Sequence, residues 1–202
     1  DAVAATERGI AVCNTPGILS ESAADEAFAL LLAMARRVYT DPQVVKSGRW
    51  GDFDPLKYLG ADVHHKTLGI VGMGRIGGEV ARRARGFDME ILYHNRKRAE
   101  VENGAEYVDS LDELLERSDF VTLHNPLTLE TTGLMSVKQF RKMKSTAYLI
   151  NTTRGPVVDQ DALYEALTTG EIAGAALDVT VPEPMPPSHP LLGLDNCLIM
   201  PH

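Results

Sequence analysis

Short apolar runs alternate with amphipathic stretches along the chain from residue 67 onward. The runs typical of buried strands are TLGIVGMG, EILYHN, DFVTLHNP, TAYLINTT, IAGAALDV and NCLIMP. The stretches with helical spacing are RIGGEVARRARGF, SLDELLERS, SVKQFRKM and DQDALYEALTTG, the second and third opening on the capping pairs Ser110…Glu113 and Ser136…Gln139. Strands that are apolar throughout and alternate with amphipathic helices predict a parallel sheet covered on both faces. The predicted fold class is therefore α/β, with a doubly wound parallel sheet.

The first third of the chain is less regular. Residues 20–38 predict a helix that starts at a serine, with acids in its first turn and Arg36 and Arg37 in its last. Its apolar residues cover more than one face, so we expect it to be buried between domains or subunits. A short strand is predicted over 10–14, and residues 39–66 are predicted to form an irregular connection with one helix.

Composition and charge exclude several classes of function. The 202 residues carry a net charge of −8, which argues against nucleic acid or an anionic membrane as the main partner. Cys13 and Cys197 lie far apart without a CxxC motif, so neither a disulfide framework nor a metal site is predicted. A reducing, cytoplasmic location fits. The first residue is Asp1 and not an initiator Met, so a targeting segment ahead of it would be missing from this sequence. The longest apolar stretch, residues 28–35, is far shorter than the roughly 20 residues that span a bilayer.

A glycine loop lies between the first regular strand and the helix that follows it. GIVGMGRIGGEV places Gly72, Gly74 and Gly77 in the GxGxxG pattern, directly after a strand and at a helix N-terminus. Such glycines allow a tight turn, close approach of a pyrophosphate and tight packing of helix on sheet. The alternative is a glycine-rich turn without a ligand. The surrounding βαβ order favours a dinucleotide site in a Rossmann-like fold.

The end of the next strand bears on which dinucleotide is bound. An NAD site has an Asp or Glu about 20 residues beyond the glycines, where it accepts hydrogen bonds from the ribose. Here that place is taken by His94, Asn95, Arg96 and Lys97, which offer cations for a 2′-phosphate and no carboxylate to repel it. The alternative is a solvated basic turn. We therefore expect NADP(H) to be preferred, with NAD(H) possible.

Three further strand ends carry polar residues. Arg154 follows one strand, Asp178 ends another with Glu183 in the loop after it, and His202 ends the last. Three of them have a structural alternative when taken alone: Arg154 as a salt-bridge partner, Glu183 as a solvated loop acid and His202 as a capping residue. Together they lie at neighbouring carboxyl ends of one sheet, which is where ligands bind in open α/β sheets. The pattern predicts an active site facing the nicotinamide.

These stretches also resemble a known family. The matching segments are NTPGILSESAADEAFALLLAMARRV, DVHHKTLGIVGMGRIG, SDFVTLHNPLTLETTGLM, INTTRGPVVDQDAL and GAALDVTVPEPMPPSHPLLGLDNCLIMPH. Over residues 1–202 the chain resembles the D-isomer-specific 2-hydroxyacid dehydrogenases, and within them the glyoxylate/hydroxypyruvate reductases and the 2-ketogluconate reductases. The resemblance implies hydride transfer from NADPH to a small 2-keto acid, giving the D-2-hydroxy acid.

The resemblance also implies roles for single residues. Arg154, Glu183 and His202 match the family's catalytic arginine, glutamate and histidine. Arg75 and Ile76 are implied to approach the pyrophosphate, and Asp178 to hold the carboxamide end. The residues implied to line the cofactor are His124, Asn125, Pro126, Thr152 and Thr153. The resemblance implies that Arg154 binds the substrate carboxylate and that His202 protonates the carbonyl oxygen. Glu183 is implied to fix the tautomer of the His202 imidazole.

The resemblance implies a domain organisation and a partner as well. Residues 1–15 would be a remnant of a flavodoxin-like substrate-binding domain, and residues 16–202 the dinucleotide-binding domain. The helix over 20–38 would pack at a homodimer interface. The alternative function is a non-catalytic NAD(P)H-binding sensor or a scaffold similar to the corepressors that resemble this family.

Overall fold

The computed structural model describes residues 2–202 and contains one seven-stranded sheet. The strands are β1 (Thr67–Val71), β2 (Glu90–His94), β3 (Glu106–Tyr107), β4 (Phe120–Leu123), β5 (Tyr148–Asn151), β6 (Gly174–Leu177) and β7 (Cys197–Ile199). All six pairings are parallel, in the order β3-β2-β1-β4-β5-β6-β7. Strand order therefore reverses between β1 and β4, and the crevice at that point is where such sheets bind ligands. The predicted doubly wound fold is confirmed.

Helices cover both faces of the sheet. The helices are α1 (Ala2–Glu7), α2 (Ser20–Ala35), α3 (Asp41–Lys46), α4 (Arg75–Ala84), α5 (Leu111–Arg117), α6 (Val137–Phe140) and α7 (Gln160–Thr169), of which α1 and α3 bury no residue. Helices α2 and α4 contribute to one buried apolar cluster, whereas α5, α6 and α7 contribute to the other. Successive strand residues alternate between the two, since Leu149 lies in the second cluster and Ile150 in the first. No helix within residues 2–202 is long and apolar enough to cross a membrane.

Helix α2 is shorter than the predicted 20–38 but is buried as its composition requires. It ends at Ala35, and Arg37 has the left-handed φ of 57°, which an α-helix does not continue through. Arg36 and Arg37 therefore follow the last turn. The buried side chains of α2 are those of Ala24, Ala27, Phe28, Leu30, Leu31, Met34 and Ala35. They pack inside this chain, where α2 contacts α4, β5 and β6.

The two serine-based helix starts differ. The Ser110 hydroxyl accepts a hydrogen bond from the Glu113 backbone N–H at 3.5 Å, which is the predicted cap of α5. Ser136 instead donates from its hydroxyl to Oε1 of Gln139 at 2.7 Å, and α6 is only four residues long. The second capping pair therefore exists as a side-chain contact without a hydrogen bond to the helix backbone.

Two local predictions about strands were wrong. Residues 10–14 form no strand, and Ile10 and Val12 are 58% and 62% exposed. A strand is stable only when a neighbour pairs with its backbone, and no strand among residues 2–202 pairs with this segment. Conversely, the two-residue strand β3 was not predicted, because Glu106 and Tyr107 carry no apolar run. The predicted single helix within 39–66 is present as α3.

Candidate active site

The glycine loop is shaped by contacts that exclude side chains at two positions and leave the third open. Gly72 has the left-handed φ of 103°, and a Cβ there would lie 2.6 Å from the Asn125 backbone nitrogen. A Cβ on Gly77 would collide with the Gly72 carbonyl oxygen. Gly74, by contrast, has no atom within 4 Å of its added Cβ and precedes the first residue of α4. The loop therefore presents open backbone and a helix N-terminus at one place, which fits a pyrophosphate.

The segment after β2 separates into one anchored residue and two exposed cations. Asn95 accepts a hydrogen bond from the Met73 backbone N–H at 2.7 Å and donates to the Met73 carbonyl at 3.4 Å. It thereby connects the end of β2 to the glycine loop, a role that the sequence did not indicate. Arg96 and Lys97 are exposed, and across residues 2–202 neither side chain makes a hydrogen bond or ion pair. Both cations are accessible to an anionic ligand. The hydrogen bond from Thr128 and, less strongly, the charge of Arg96 lower the pKa of Glu130, so Arg96 also interacts with a carboxylate.

The end of β4 is partly buried and contains an unpaired oxygen. Nε2 of the half-buried His124 lies 2.9 Å from the Thr122 hydroxyl, and desolvation by burial lowers the pKa of its imidazole to about 4. Asn125 is 9% exposed and donates to the Pro126 carbonyl at 3.2 Å. Its side-chain oxygen is buried and finds no partner within the described chain. A buried polar atom without a partner, on a residue whose backbone adjoins Gly72, is one that a polar group of a ligand could satisfy.

The turn after β5 exposes an arginine. Asn151 is fully buried, and its Oδ1 accepts hydrogen bonds from the backbone N–H and the hydroxyl of Thr153 at 3.0 and 2.8 Å. Its Nδ2 donates to the Arg154 carbonyl at 3.2 Å, so one side chain determines the path of the turn. Arg154 is exposed, and its guanidinium donates to the Thr153 carbonyl at 2.6 Å. Thr152 and Thr153 are half-buried beside it.

A histidine and a carboxylate meet at the ends of β6 and β7. Nδ1 of His202 lies 2.5 Å from Oε1 of Glu183, with the two side chains 47% and 41% exposed. Because a carboxylate only accepts, Nδ1 carries the hydrogen and Nε2 is directed away from the pair. Asp178 accepts a hydrogen bond from the His202 backbone N–H. Burial, opposed by the His202 charge and reinforced by that of Glu183, raises the pKa of Asp178.

Two residues that sequence reasoning missed join the arginine turn to the glutamate loop. The amide of Gln160, at the start of α7, donates to the Val181 carbonyl at 2.5 Å and accepts from the Val181 backbone N–H at 2.8 Å. A Cβ on Gly155 would collide with the Thr180 carbonyl. Both residues fall within the stretch INTTRGPVVDQDAL, but only the folded structure shows what they contact.

The site residues converge at one edge of the sheet without all touching. Strands β5, β6 and β7 are neighbours, so Arg154, Asp178 and His202 follow adjacent carboxyl ends. His202 contacts both Glu183 and Asp178, whereas the Arg154 guanidinium makes no hydrogen bond or ion pair to any of the three. Within residues 2–202, no group of three or more His, Cys, Asp or Glu is placed to hold a metal ion.

This geometry defines a class of protein: a parallel α/β domain that binds a dinucleotide at a glycine loop and carries acid–base groups on the adjoining strand ends. Residues 28–202 match the family described as "D-isomer specific 2-hydroxyacid dehydrogenase, NAD binding domain". The chain belongs to this family.

Individual relatives agree. The chain is similar to a glyoxylate reductase of Korarchaeum cryptofilum, with 56% identity over all of this chain and 62% of that protein. It is 50% identical to glyoxylate/hydroxypyruvate reductase B of Salmonella newport, over 98% of this chain and 62% of that protein. The solved structure of TT0316 protein from Thermus thermophilus superposes with a TM-score of 0.95 at 49% identity, covering this whole chain and 64% of that one. The chain thus spans somewhat less than two thirds of the length of these relatives.

Proposed function

We propose that the protein is an NADPH-dependent reductase that converts a small 2-keto acid into the D-2-hydroxy acid. Glyoxylate, hydroxypyruvate and 2-ketogluconate are the substrates under consideration. The observation that carries the proposal is the His202–Glu183 pair at the strand ends beside Arg154, in a chain of the 2-hydroxyacid dehydrogenase family. Relatives named glyoxylate reductase support the substrate class.

Arg154, His202 and Glu183 have separate roles in the proposed reaction. Arg154 is exposed and offers a planar fork of donors to the substrate carboxylate. Bound NADPH supplies the hydride. The free Nε2 of His202 donates the proton that the carbonyl oxygen needs as it gains negative charge. Glu183 holds the Nδ1–H tautomer and stabilises the imidazolium before transfer.

The preference for NADP(H) over NAD(H) rests on Arg96 and Lys97. Both are exposed cations without a hydrogen-bonded protein partner, at the strand end where an NAD site has a carboxylate. Hydrogen bonds to a charged group contribute about 1.5–3 kcal/mol, or roughly ten- to a hundredfold in affinity. Asn95 supports the loop from the protein side, because its amide is engaged with Met73.

The remaining assignments complete the proposal. Arg75 and Ile76 approach the pyrophosphate, and Asp178 holds the carboxamide end of the cofactor. The residues His124, Asn125, Pro126, Thr152 and Thr153 line the rest of the cofactor site. Residues 1–15 belong to a substrate-binding domain and 16–202 to the dinucleotide-binding domain. The chain forms a homodimer through the segment 20–38 and acts in the cytoplasm.

The test combines turnover with cofactor affinity in the wild type and His202→Ala. NADPH oxidation is followed with each of the three keto acids, and NADPH affinity is measured by fluorescence titration. We expect His202→Ala to lower the turnover number by about 10²- to 10⁴-fold with NADPH affinity unchanged. His64→Ala, which removes an exposed histidine elsewhere, serves as the control.

Two outcomes would contradict this function. Near-wild-type turnover in His202→Ala would mean that the proton comes from another group. A wild type that binds NADPH tightly but reduces none of the three acids would favour the alternative of a dinucleotide sensor or scaffold.

A further inference from the structure

Residues 95–102, here called the cation loop, follow β2. Between two anchored ends they carry Arg96 and Lys97, the two cations that make no hydrogen bond among the described residues. On its N-terminal side the Asn95 side chain is bonded to Met73, and the Tyr107 hydroxyl donates to the Asn95 carbonyl at 3.4 Å. Arg96 and Lys97 come next and are exposed.

The C-terminal side is folded around a buried tyrosine hydroxyl. The Tyr93 ring, on β2, is fully buried, and its hydroxyl donates to Oε1 of Glu102 at 2.5 Å. The same hydroxyl accepts a hydrogen bond from the Ala99 backbone N–H at 3.1 Å. The loop is therefore bent back onto the end of the strand that precedes it, and Glu102 closes the bend.

Glu102 also pairs with Arg98, the third cation of the loop. Nε and one terminal nitrogen of Arg98 donate to the two Glu102 oxygens at 2.6 and 3.0 Å. These hydrogen bonds from Arg98, with that from Tyr93, lower the pKa of Glu102 to about 2, so it is ionised at neutral pH. Arg98 is thereby engaged within the protein. Arg96 and Lys97 make no hydrogen bond or ion pair among the described residues, and Arg96 acts on the exposed Glu130 only through its charge.

We propose that Glu102 is a positioning residue for dinucleotide selectivity: by closing on Tyr93 and Arg98 it orders the cation loop, so that Arg96 and Lys97 face the 2′-phosphate of NADPH. This inference rests on the proposed function, in which those two cations bind the phosphate. Without the closure the loop spends part of its time in other conformations, and apparent affinity falls by the fraction that stays competent.

The direction in which NADPH affinity changes when Glu102 is neutralised distinguishes a positioning role from simple electrostatics. Glu102 is an anion close to a proposed anion site, so Coulomb repulsion alone predicts that its neutralisation tightens NADPH binding. Positioning predicts the opposite, because a looser loop binds the phosphate less well. NADH lacks that phosphate and reports on the rest of the site.

The experiment titrates NADPH and NADH into the wild type, Glu102→Gln and Glu106→Gln. We expect Glu102→Gln to weaken NADPH about five- to tenfold, corresponding to a competent fraction of roughly 10–20%, and to leave NADH within about twofold. Glu106→Gln is the matched control, since it removes the same charge from a carboxylate paired with another arginine, Arg117. It should change neither affinity. Tyr93→Phe removes the hydroxyl that bonds Glu102 without changing any charge, and it should also weaken NADPH.

A second pair of variants distinguishes failure of this inference from failure of the proposed function. Arg96→Ala should lose NADPH selectivity, and Glu102→Gln should then add no further loss in the double variant. If Arg96→Ala loses selectivity but Glu102→Gln tightens NADPH or leaves it unchanged, the positioning role is refuted and the phosphate site stands. If Arg96→Ala weakens NADH as much as NADPH, the phosphate site itself is wrong, and the inference fails with it.

Discussion

The β1–β2 side of the sheet and the β5–β7 side carry the two halves of the proposed site, and they are built differently. On the nucleotide side, Gly72 and Gly77 have no room for a side chain, and Asn95 is bonded to the loop between them. On the acid side, His202 and Glu183 are 47% and 41% exposed and are held chiefly by each other. The first half is determined by packing, the second by a few hydrogen bonds. Substitutions on the nucleotide side should therefore act on stability and binding, and those on the acid side on rate.

The largest effect is expected from filling the glycine loop. Gly77→Ala places a methyl group against the Gly72 carbonyl, so we expect a loss of about 3 kcal/mol in the free energy of unfolding and loss of measurable NADPH binding. Gly74→Ala meets no atom within 4 Å and should change that free energy by less than about 0.5 kcal/mol, while still weakening NADPH. Urea unfolding and fluorescence titration measure both. Equal stability of the two variants would contradict a packing-determined nucleotide side.

The next effect is expected on the acid side, from the residue that holds the glutamate loop. Gln160→Leu removes both hydrogen bonds to Val181, and we expect the turnover number of the proposed reaction to fall roughly ten- to a hundredfold through misplacement of Glu183. NADPH affinity should be unchanged, because Gln160 contacts the loop that carries Glu183 and not the glycine loop. Gln43→Leu, at an exposed glutamine on α3, is the control. Additive losses in Gln160→Leu combined with Glu183→Gln would show that the two residues act separately.

The smallest effect concerns the pH dependence of stability on the nucleotide side. The folded pKa of His124 is about 4 and its ordinary value 6.5, so the unfolded chain takes up the proton first as pH falls. Stability present above pH 6.5 is therefore lost progressively toward pH 4. Between pH 7.5 and 6 we expect a loss of about 0.5–0.8 kcal/mol that His124→Gln abolishes. Urea unfolding at both pH values checks this, and a loss that persists in His124→Gln would exclude the residue as its source.

Much of the fold could be predicted because its strands are buried on both faces. Runs such as LGIV and FVTL carry no charge and are almost wholly apolar, which is typical of the centre of a parallel sheet. The edges were less predictable. Strand β3 has only Glu106 and Tyr107, and the predicted strand over 10–14 has no partner to pair with among residues 2–202. The apolar pattern indicates which segments are buried. It does not reveal a short polar strand at the sheet edge, and it does not show whether an apolar segment has a neighbour to pair with.

The candidate site likewise contains residues that the sequence could predict and residues that it could not. Arg154, Glu183 and His202 could be proposed as site residues because strand ends in such sheets face the ligand and because the segments around them resemble the family. Gln160, Asn95 and Glu102 were not found in these supporting roles, because each acts on a backbone or a side chain that only the fold brings near. Glu102 in particular depends on Tyr93, nine residues earlier on β2. An exposed-looking acid in a polar loop gives no sign of that contact in the sequence.

The hydrogen bond between Asn95 and Met73 also has a consequence for how the cofactor is recognised. It ties the loop proposed to hold the pyrophosphate to the loop proposed to hold the 2′-phosphate, so ordering one of them restricts the other. Binding energies of cofactor fragments then need not add: an adenosine 2′,5′-bisphosphate would order the glycine loop for a nicotinamide mononucleotide that follows it. Linkage requires the reverse as well. The two phosphate positions would behave thermodynamically as one cooperative unit, joined by a single amide side chain.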